Sequence, residues 1–127
     1  MTRFLLVCFG GAIGSGARYL TASWAAALFG ATFPWGTLIV NVTGSFLLGV
    51  VMHLATSSEL LSEDVRLFLA SGVLGGFTTY SSFNWETTQL MRSGHWGAAF
   101  ANVAGTLFVC LAAGFAGVVV ARLIFAR

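Results

Sequence analysis

Four long apolar stretches separated by short polar connectors make up most of the sequence. They cover about residues 4–28, 35–54, 67–90 and 96–121, and each is long enough to cross a membrane, which takes about 20 helical residues. The middle connector, residues 55–66, carries Glu59, Glu63 and Asp64, so we expect it to face water. The pattern predicts an all-α membrane protein in which residues 1–127 form a single four-span domain.

Composition agrees with lipid as the main solvent. Hydrophobic residues make up 57% of the chain and charged residues only 8%, whereas a soluble domain carries about 25% charged residues. The six cations are arginines scattered along the chain, which excludes the concentrated basic surface of a nucleic-acid-binding protein. No nucleophile lies beside a base, so an enzyme is not expected.

The first stretch has a second interpretation, a cleaved signal peptide, because Arg3 precedes it and alanines lie near its end. Its length, its several glycines and the embedded Arg18 favour a retained membrane span.

Positive charge hardly selects an orientation in the membrane. Four spans would place Arg3, Arg66, Arg122 and Arg127 on one side and Arg18 and Arg92 on the other, a difference of 4 − 2 = 2. A chain that inserts both ways could form an antiparallel dimer. Four tightly packed helices leave no room for a water-filled path, so we expect any such path to form between subunits.

Small residues suit close helix packing. The residues in question are Gly10, Gly14, Gly72, Gly76, Ala113, Gly114 and Gly117. They could bring two subunits together, but for most of them we expect that they pack helices within one chain.

The third stretch contains the most unusual segment, from Gly75 to Phe83. Two adjacent glycines are followed by four Ser or Thr residues within five positions, which is poor helix-forming sequence. The segment predicts a helix break at membrane depth, which is tolerated only where the backbone is buried in protein or lines a cavity. The alternative is a continuous helix in which the hydroxyls bond back to their own carbonyls.

Other polar residues within the stretches are candidates for a site or for helix packing. Asn41 needs a partner or a cavity in lipid, and a helix–helix hydrogen bond is an equal alternative. Arg18 either reaches the interface or supplies positive potential to an anion entrance. Glu86 is the one acid embedded in a stretch, with an interface position as its alternative. Thr106 lies on a mildly polar stripe of the fourth stretch, where packing is the simpler role.

Three motifs together resemble the Fluc (CrcB) family of bacterial fluoride channels. The first is Gly10-Gly11-Ala12-Ile13-Gly14 followed by Arg18-Tyr19. The second runs from Gly36-Thr37-Leu38 through Asn41 to Gly44-Ser45-Phe46. The third is Gly75-Gly76-Phe77-Thr78-Thr79 followed by Ser81 and Phe83. The resemblance covers all four stretches in order.

This resemblance implies an antiparallel, dual-topology homodimer in the bacterial inner (plasma) membrane that passively conducts fluoride out of the cytoplasm and confers fluoride resistance. It implies a structural Na⁺ at the dimer centre, held by the backbone carbonyls of Gly75 and Thr78. It assigns Arg18 to the vestibule. The fluoride pore is assigned to Asn41, Thr79, Tyr80, Ser81, Ser82, Phe83, Glu86 and Thr106.

Tyr80 departs from the family pattern, which has phenylalanine at this position. Its hydroxyl lies on the ring edge that is expected to face the ion, so we expect the path to persist but conduction to be slower.

The rival function is a small multidrug-resistance-type dual-topology transporter, which needs an embedded acid in the first span. This chain offers only Arg18 there. A non-transporting subunit leaves the break beside Asn41 unexplained.

Overall fold

The computed structural model describes residues 1–57 and 60–125, and within these two ranges all regular structure is helical. Glu59 and Arg127, which enter the charge pattern of the sequence, lie outside the described residues. Three helices are long and apolar enough to span a membrane: α1 (Thr2–Phe29), α2 (Trp35–Thr56) and α6 (Trp96–Phe125). The chain is therefore an all-α, multi-pass membrane protein. The three helices extend the predicted stretches 4–28, 35–54 and 96–121 by a few residues.

The third predicted stretch is a chain of short helices, residues 63–92, which we call the broken segment. It begins with α3 (Glu63–Arg66) and a wide π-helical run (Leu67–Leu74), continues as α4 (Gly75–Phe77), and resumes after two extended residues as α5 (Tyr80–Arg92). The sequence placed a break between Gly75 and Phe83, and the structure has it at residues 78 and 79. The π-helical run is an addition that the sequence did not predict.

The broken segment runs the full length of α1. At one end the Arg3 guanidinium contacts Glu63 at 2.6 Å and Asp64 at 3.1 Å. At the other end the connector after α1 and the connector after α5 line one common cavity. Contacts at both ends show that residues 63–92 cover the same distance as the 28-residue α1, even though no single helix among them does.

Glycines bring the backbone of α1 against the first half of the broken segment. A Cβ on Gly10 would lie 3.0 Å from the Cα of Gly72, and a Cβ on Gly76 would lie 3.0 Å from the Cα of Gly11. Backbone contact of this kind is possible only where side chains are absent, and in lipid it supplies much of the packing energy. α1 and residues 63–77 therefore form one tightly packed pair.

A second tightly packed pair consists of α2 and α6. Gly49 of α2 fits against the carbonyl of Gly114, and Gly117 of α6 fits against the carbonyl of Phe46. The six glycines among the small residues singled out in the sequence thus pack helices within one chain, which the sequence analysis expected for most of the set.

Gly14 provides a direct test of this packing. A Cβ there would overlap the carbonyl oxygen of Val73 and lie 2.8 Å from the backbone N of Phe77, neither of which can move alone. We expect Gly14→Ala to lower the free energy of unfolding by about 1–3 kcal/mol, as overpacking does. Thermal unfolding of the purified protein in detergent measures this.

Gly97→Ala is the control, because a Cβ on Gly97 meets nothing within 4 Å and alanine favours the helix. Equal melting temperatures for the two variants would contradict the packing described here.

Candidate functional site at the helix break

Two threonines form the break. Thr78 (φ −80°, ψ 158°) and Thr79 (φ −155°, ψ 121°) are extended, a conformation that β-branched residues favour. The Thr78 N–H and hydroxyl both donate to the carbonyl of Leu74, at 3.0 and 2.9 Å, and so end the first helix. Thr79 is the N-cap of α5, since its hydroxyl accepts from the Ser82 N–H at 3.2 Å. The same residue type thus ends one helix and begins the next.

The side chain of Asn41 pairs with the backbone of the break. Its Nδ2 donates to the carbonyl of Thr79 at 3.0 Å, and its Oδ1 accepts from the N–H of Thr79 at 2.8 Å. Both residues are buried. The helix–helix hydrogen bond that the sequence left open is therefore present, and its partner is the unwound backbone.

Hydroxyl groups cluster at the start of α5. The Thr79 hydroxyl lies 3.2 Å from the hydroxyl of Ser81 and donates to that of Ser82, also at 3.2 Å. Ser81 is exposed and Ser82 is half-buried. The amino end of α5 carries a partial positive charge, so these hydroxyls lie where an anion is electrostatically favoured.

Tyr80 and Phe83 form an aromatic pair beside the hydroxyls. Their ring centroids are 5.5 Å apart and the planes are tilted by 56°. Tyr80 is 77% exposed on this single chain, whereas Phe83 is half-buried. The edge of an aromatic ring is its positive region, so a tilted pair can present ring edges to an anion.

A cavity of about 320 Å³ runs along the break, lined by residues of α2, the broken segment and α6. It gathers seven of the residues predicted from the sequence: Asn41, Gly75, Thr78, Thr79, Tyr80, Phe83 and Thr106. The predicted site residues from three separate stretches therefore meet in one place.

Three of the four remaining predicted residues line a second cavity of about 280 Å³, on the other side of Thr79. Arg18, Ser82 and Glu86 line it, and Thr79 borders both cavities. Oε1 of Glu86 accepts from the hydroxyl of Thr37 at 2.8 Å, while its buried Oε2 has no hydrogen-bond partner among the described residues. The side chains of Arg18 and Glu86 therefore line the same cavity, a proximity that the sequence did not predict. Ser81, the last predicted residue, contacts the hydroxyl of Thr79, which borders this cavity.

The polar stripe on α6 makes one contact that the sequence did not predict. Nδ2 of Asn102 donates to the hydroxyl of Thr87 at 2.9 Å, and that hydroxyl donates to the carbonyl of Phe83 at 2.7 Å. Among the described residues, Oδ1 of Asn102 and the hydroxyl of Thr106 are buried without a partner. Buried polar atoms of this kind are usually satisfied by water or an ion.

Sequence reasoning missed two residues of the site. Thr37, which holds Glu86, lies within the second motif but was not singled out, although it is four residues before Asn41. Thr87 carried no signal that distinguished it from the other hydroxyls of α5.

The donors available for a metal at the break are backbone carbonyls. In the described ranges no group of three His, Cys, Asp or Glu side chains could hold a metal ion. Gly75 and Thr78 line the cavity of the break, and the last carbonyls of a helix have no partner within it. Hard oxygen donors at the negative end of a helix fit an alkali cation and suit a transition metal poorly.

Thr79→Val tests the cap, because valine has the same shape without the hydroxyl. We expect the free energy of unfolding to fall by about 1 kcal/mol, the usual value of an N-cap hydrogen bond. Thermal unfolding measures the change, and Thr79→Ser, which keeps the hydroxyl, is expected to restore most of it. A Thr79→Val variant as stable as the original chain would contradict the capping role.

Comparison with known proteins gives consistent matches over nearly the whole chain. The family described as "CrcB-like protein, Camphor Resistance (CrcB)" matches residues 5–118. A protein of Anaeromyxobacter dehalogenans is 57% identical over 122 residues, covering 96% of this chain and 97% of its own. One of Sorangium cellulosum is 54% identical over 126 residues, covering 99% of each chain. One of Thermus thermophilus is 49% identical over 115 residues, covering 91% of this chain and 90% of its own. All three carry the name fluoride-specific ion channel FluC.

Proposed function

Because the chain belongs to the CrcB-like protein family, we propose that it is a passive, fluoride-selective ion channel of the bacterial inner membrane. By the names of its relatives the family consists of ion channels, so the chain is not an enzyme. The observation that carries the proposal is the break at Thr78 and Thr79, where helix ends, hydroxyls and an aromatic pair surround one cavity. The rival multidrug transporter needs an acid in its first span, and α1 has none.

An anion path along the start of α5 follows from the chemistry of that helix end. The first N–H groups of a helix have no acceptor within it, and here they belong to Tyr80 and Ser81. Hydroxyls of Ser81, Ser82 and Thr79 can replace part of the hydration of a small anion. The ring edges of Tyr80 and Phe83 attract it weakly. Weak attraction is useful because a conducted ion must also leave.

Arg18 and Glu86 are proposed to flank this path at the second cavity. The guanidinium of Arg18 supplies positive potential that concentrates anions at an entrance. Glu86 lines the same cavity and accepts a hydrogen bond from Thr37. Thr106 is proposed to continue the path on α6, since its buried hydroxyl has no protein partner among the described residues.

A second copy of the chain is proposed to complete the path in an antiparallel, four-span, dual-topology dimer. The cavity at the break is open on the single chain, and Tyr80 is largely uncovered there. Dual topology is supported by the weak asymmetry of positive charge. The carbonyls of Gly75 and Thr78 are the proposed ligands of a sodium ion at the dimer centre, which would supply fixed positive charge between the two copies.

Export of fluoride requires no energy source in this proposal. Fluoride enters a cell as the neutral acid, dissociates in the less acidic cytoplasm, and then leaves through the channel down its own gradient. Resistance to fluoride is the expected cellular consequence.

The deciding experiment is fluoride efflux from proteoliposomes, measured with a fluoride electrode and started by a potassium ionophore that balances charge. We expect rapid fluoride release from liposomes that contain the protein, and chloride release no faster than from protein-free liposomes. Absence of fluoride release, or equal release of chloride, would defeat the proposal.

Tyr80 is proposed to slow conduction, because its phenol adds a hydrogen-bond donor at the ring edge and so binds a passing anion more tightly. We expect Tyr80→Phe to raise the rate of fluoride release severalfold at unchanged selectivity over chloride. Phe100→Tyr, which adds a phenol to an exposed ring of α6 that lines neither of the two cavities, is the control and should change the rate less than twofold. An equal or faster rate with tyrosine at position 80 would refute this role.

A further inference from the structure

The side chain of Thr78 is held on two sides. Its hydroxyl donates to the carbonyl of Leu74 at 2.9 Å, and its Cγ2 methyl lies against Gly44 of α2. A Cβ on Gly44 would overlap this methyl, whereas it would meet Cδ1 of Phe77 and Cβ of Thr78 at the ordinary contact distances of 3.5 and 3.7 Å. Position 44 therefore excludes a side chain because of one atom, the Cγ2 methyl of Thr78.

These two contacts also fix the backbone at Thr78. A β-branched residue has few χ1 rotamers, and the rotamer that is allowed depends on φ and ψ. Displacing the methyl would force either a new χ1, which breaks the hydroxyl bond to Leu74, or a shift of the backbone. Thr78 is extended (φ −80°, ψ 158°), so its carbonyl turns out of the direction that the carbonyls of a helix share. The orientation of this carbonyl thus depends on a glycine of another helix.

We propose that Gly44 is a positioning residue for the sodium site, because it lets Thr78 hold its carbonyl in one fixed direction. The inference rests on the proposed function, in which the carbonyls of Gly75 and Thr78 bind a sodium ion. Gly44, Gly75 and Thr78 line the same cavity at the break. A cation bound through a few oxygens loses affinity when one of them is misplaced, since the ligands of such a site must keep their geometry closely. Gly44 acts on the site through the methyl of Thr78.

The first test measures how sodium chloride raises the melting temperature of the full chain in detergent, with N-methyl-D-glucamine chloride keeping the ionic strength constant. A ligand that binds only the folded state stabilises it, so the sodium concentration needed for a given rise reports the affinity of the site. In Gly44→Ala the new Cβ displaces the methyl of Thr78, and we expect this concentration to increase on the order of tenfold. An unchanged concentration overturns the proposal.

A second substitution tests whether the methyl transmits the effect. Thr78→Ser removes the methyl that the new Cβ would meet and keeps the hydroxyl that bonds to Leu74. We therefore expect the double variant Gly44→Ala/Thr78→Ser to need about the same sodium concentration as the unmodified chain, because the two changes are coupled. A double variant as impaired as Gly44→Ala overturns the proposal.

Gly49→Ala is the matched control, since it makes the same substitution on the same helix. Its Cβ would overlap the carbonyl of Gly114 and does not reach Thr78. We expect it to lower the melting temperature without sodium but to change the required sodium concentration less than twofold. An equal loss of sodium affinity in Gly49→Ala would mean that any loosening of α2 weakens the site, and would overturn the specific role of Gly44.

A measurement on the unmodified chain covers the case in which Gly44→Ala does not fold. Three-bond NMR couplings from Cγ2 of Thr78 to its backbone nitrogen and carbonyl carbon report the χ1 rotamer. We expect the values of a single rotamer with and without sodium, because the contacts with Gly44 and Leu74 do not need the ion. Couplings averaged over several rotamers in the absence of sodium overturn the proposal.

Fluoride efflux from proteoliposomes separates this inference from the proposed function. If the unmodified chain releases fluoride but its melting temperature does not respond to sodium, the positioning role of Gly44 is overturned and the channel proposal stands. If the sodium titrations give the expected pattern but no fluoride is released, the role of Gly44 is supported and the proposed channel is defeated.

Discussion

The structure depends on one constraint: an interrupted helix at membrane depth must satisfy its own backbone. Lipid offers no hydrogen bonds, so the N–H of Thr79, which the break removes from the helical ladder, needs a protein partner. The carboxamide of Asn41 accepts from this N–H and also donates to the Thr79 carbonyl. No other short neutral side chain combines an acceptor and a two-proton donor in one plane. The break, the cap on α5 and the direction of the Thr79 hydroxyl all follow from that pairing.

Packing of the helices explains how Asn41 is brought to the break. Glycines let α1 contact the first half of the broken segment through backbone, and let α2 contact α6 in the same way. The two pairs meet along α2, whose face carries Thr37, Asn41 and Gly44. Interfaces built from backbone contact cannot slide without collision. Asn41 is therefore held in register with Thr79 by the glycines on either side of it.

The sequence predicted the elements better than their contacts. The lengths of α1, α2 and α6 follow from apolar runs, and the break follows from the clustered glycines and hydroxyls between Gly75 and Phe83. The partner of Asn41 could not be predicted, because an amide in lipid is satisfied equally well by a side chain, a backbone group or an ion. The link between Thr37 and Glu86 was also beyond reach, since it joins residues 49 positions apart through packing alone. The π-helical run has no signature in the sequence.

The break places two helix ends of opposite polarity beside each other. The first half of the broken segment ends at Phe77, where the carbonyl end of a helix carries a partial negative charge, and α5 begins at Tyr80, where the amino end of a helix carries a partial positive charge. Two extended residues separate these ends, so a partial negative and a partial positive charge lie within one short segment. A continuous helix would cancel both charges within its ladder. The interruption thus places partial charges within residues 67–85, which carry no charged side chain, and Asn41 pairs with the backbone that the interruption exposes.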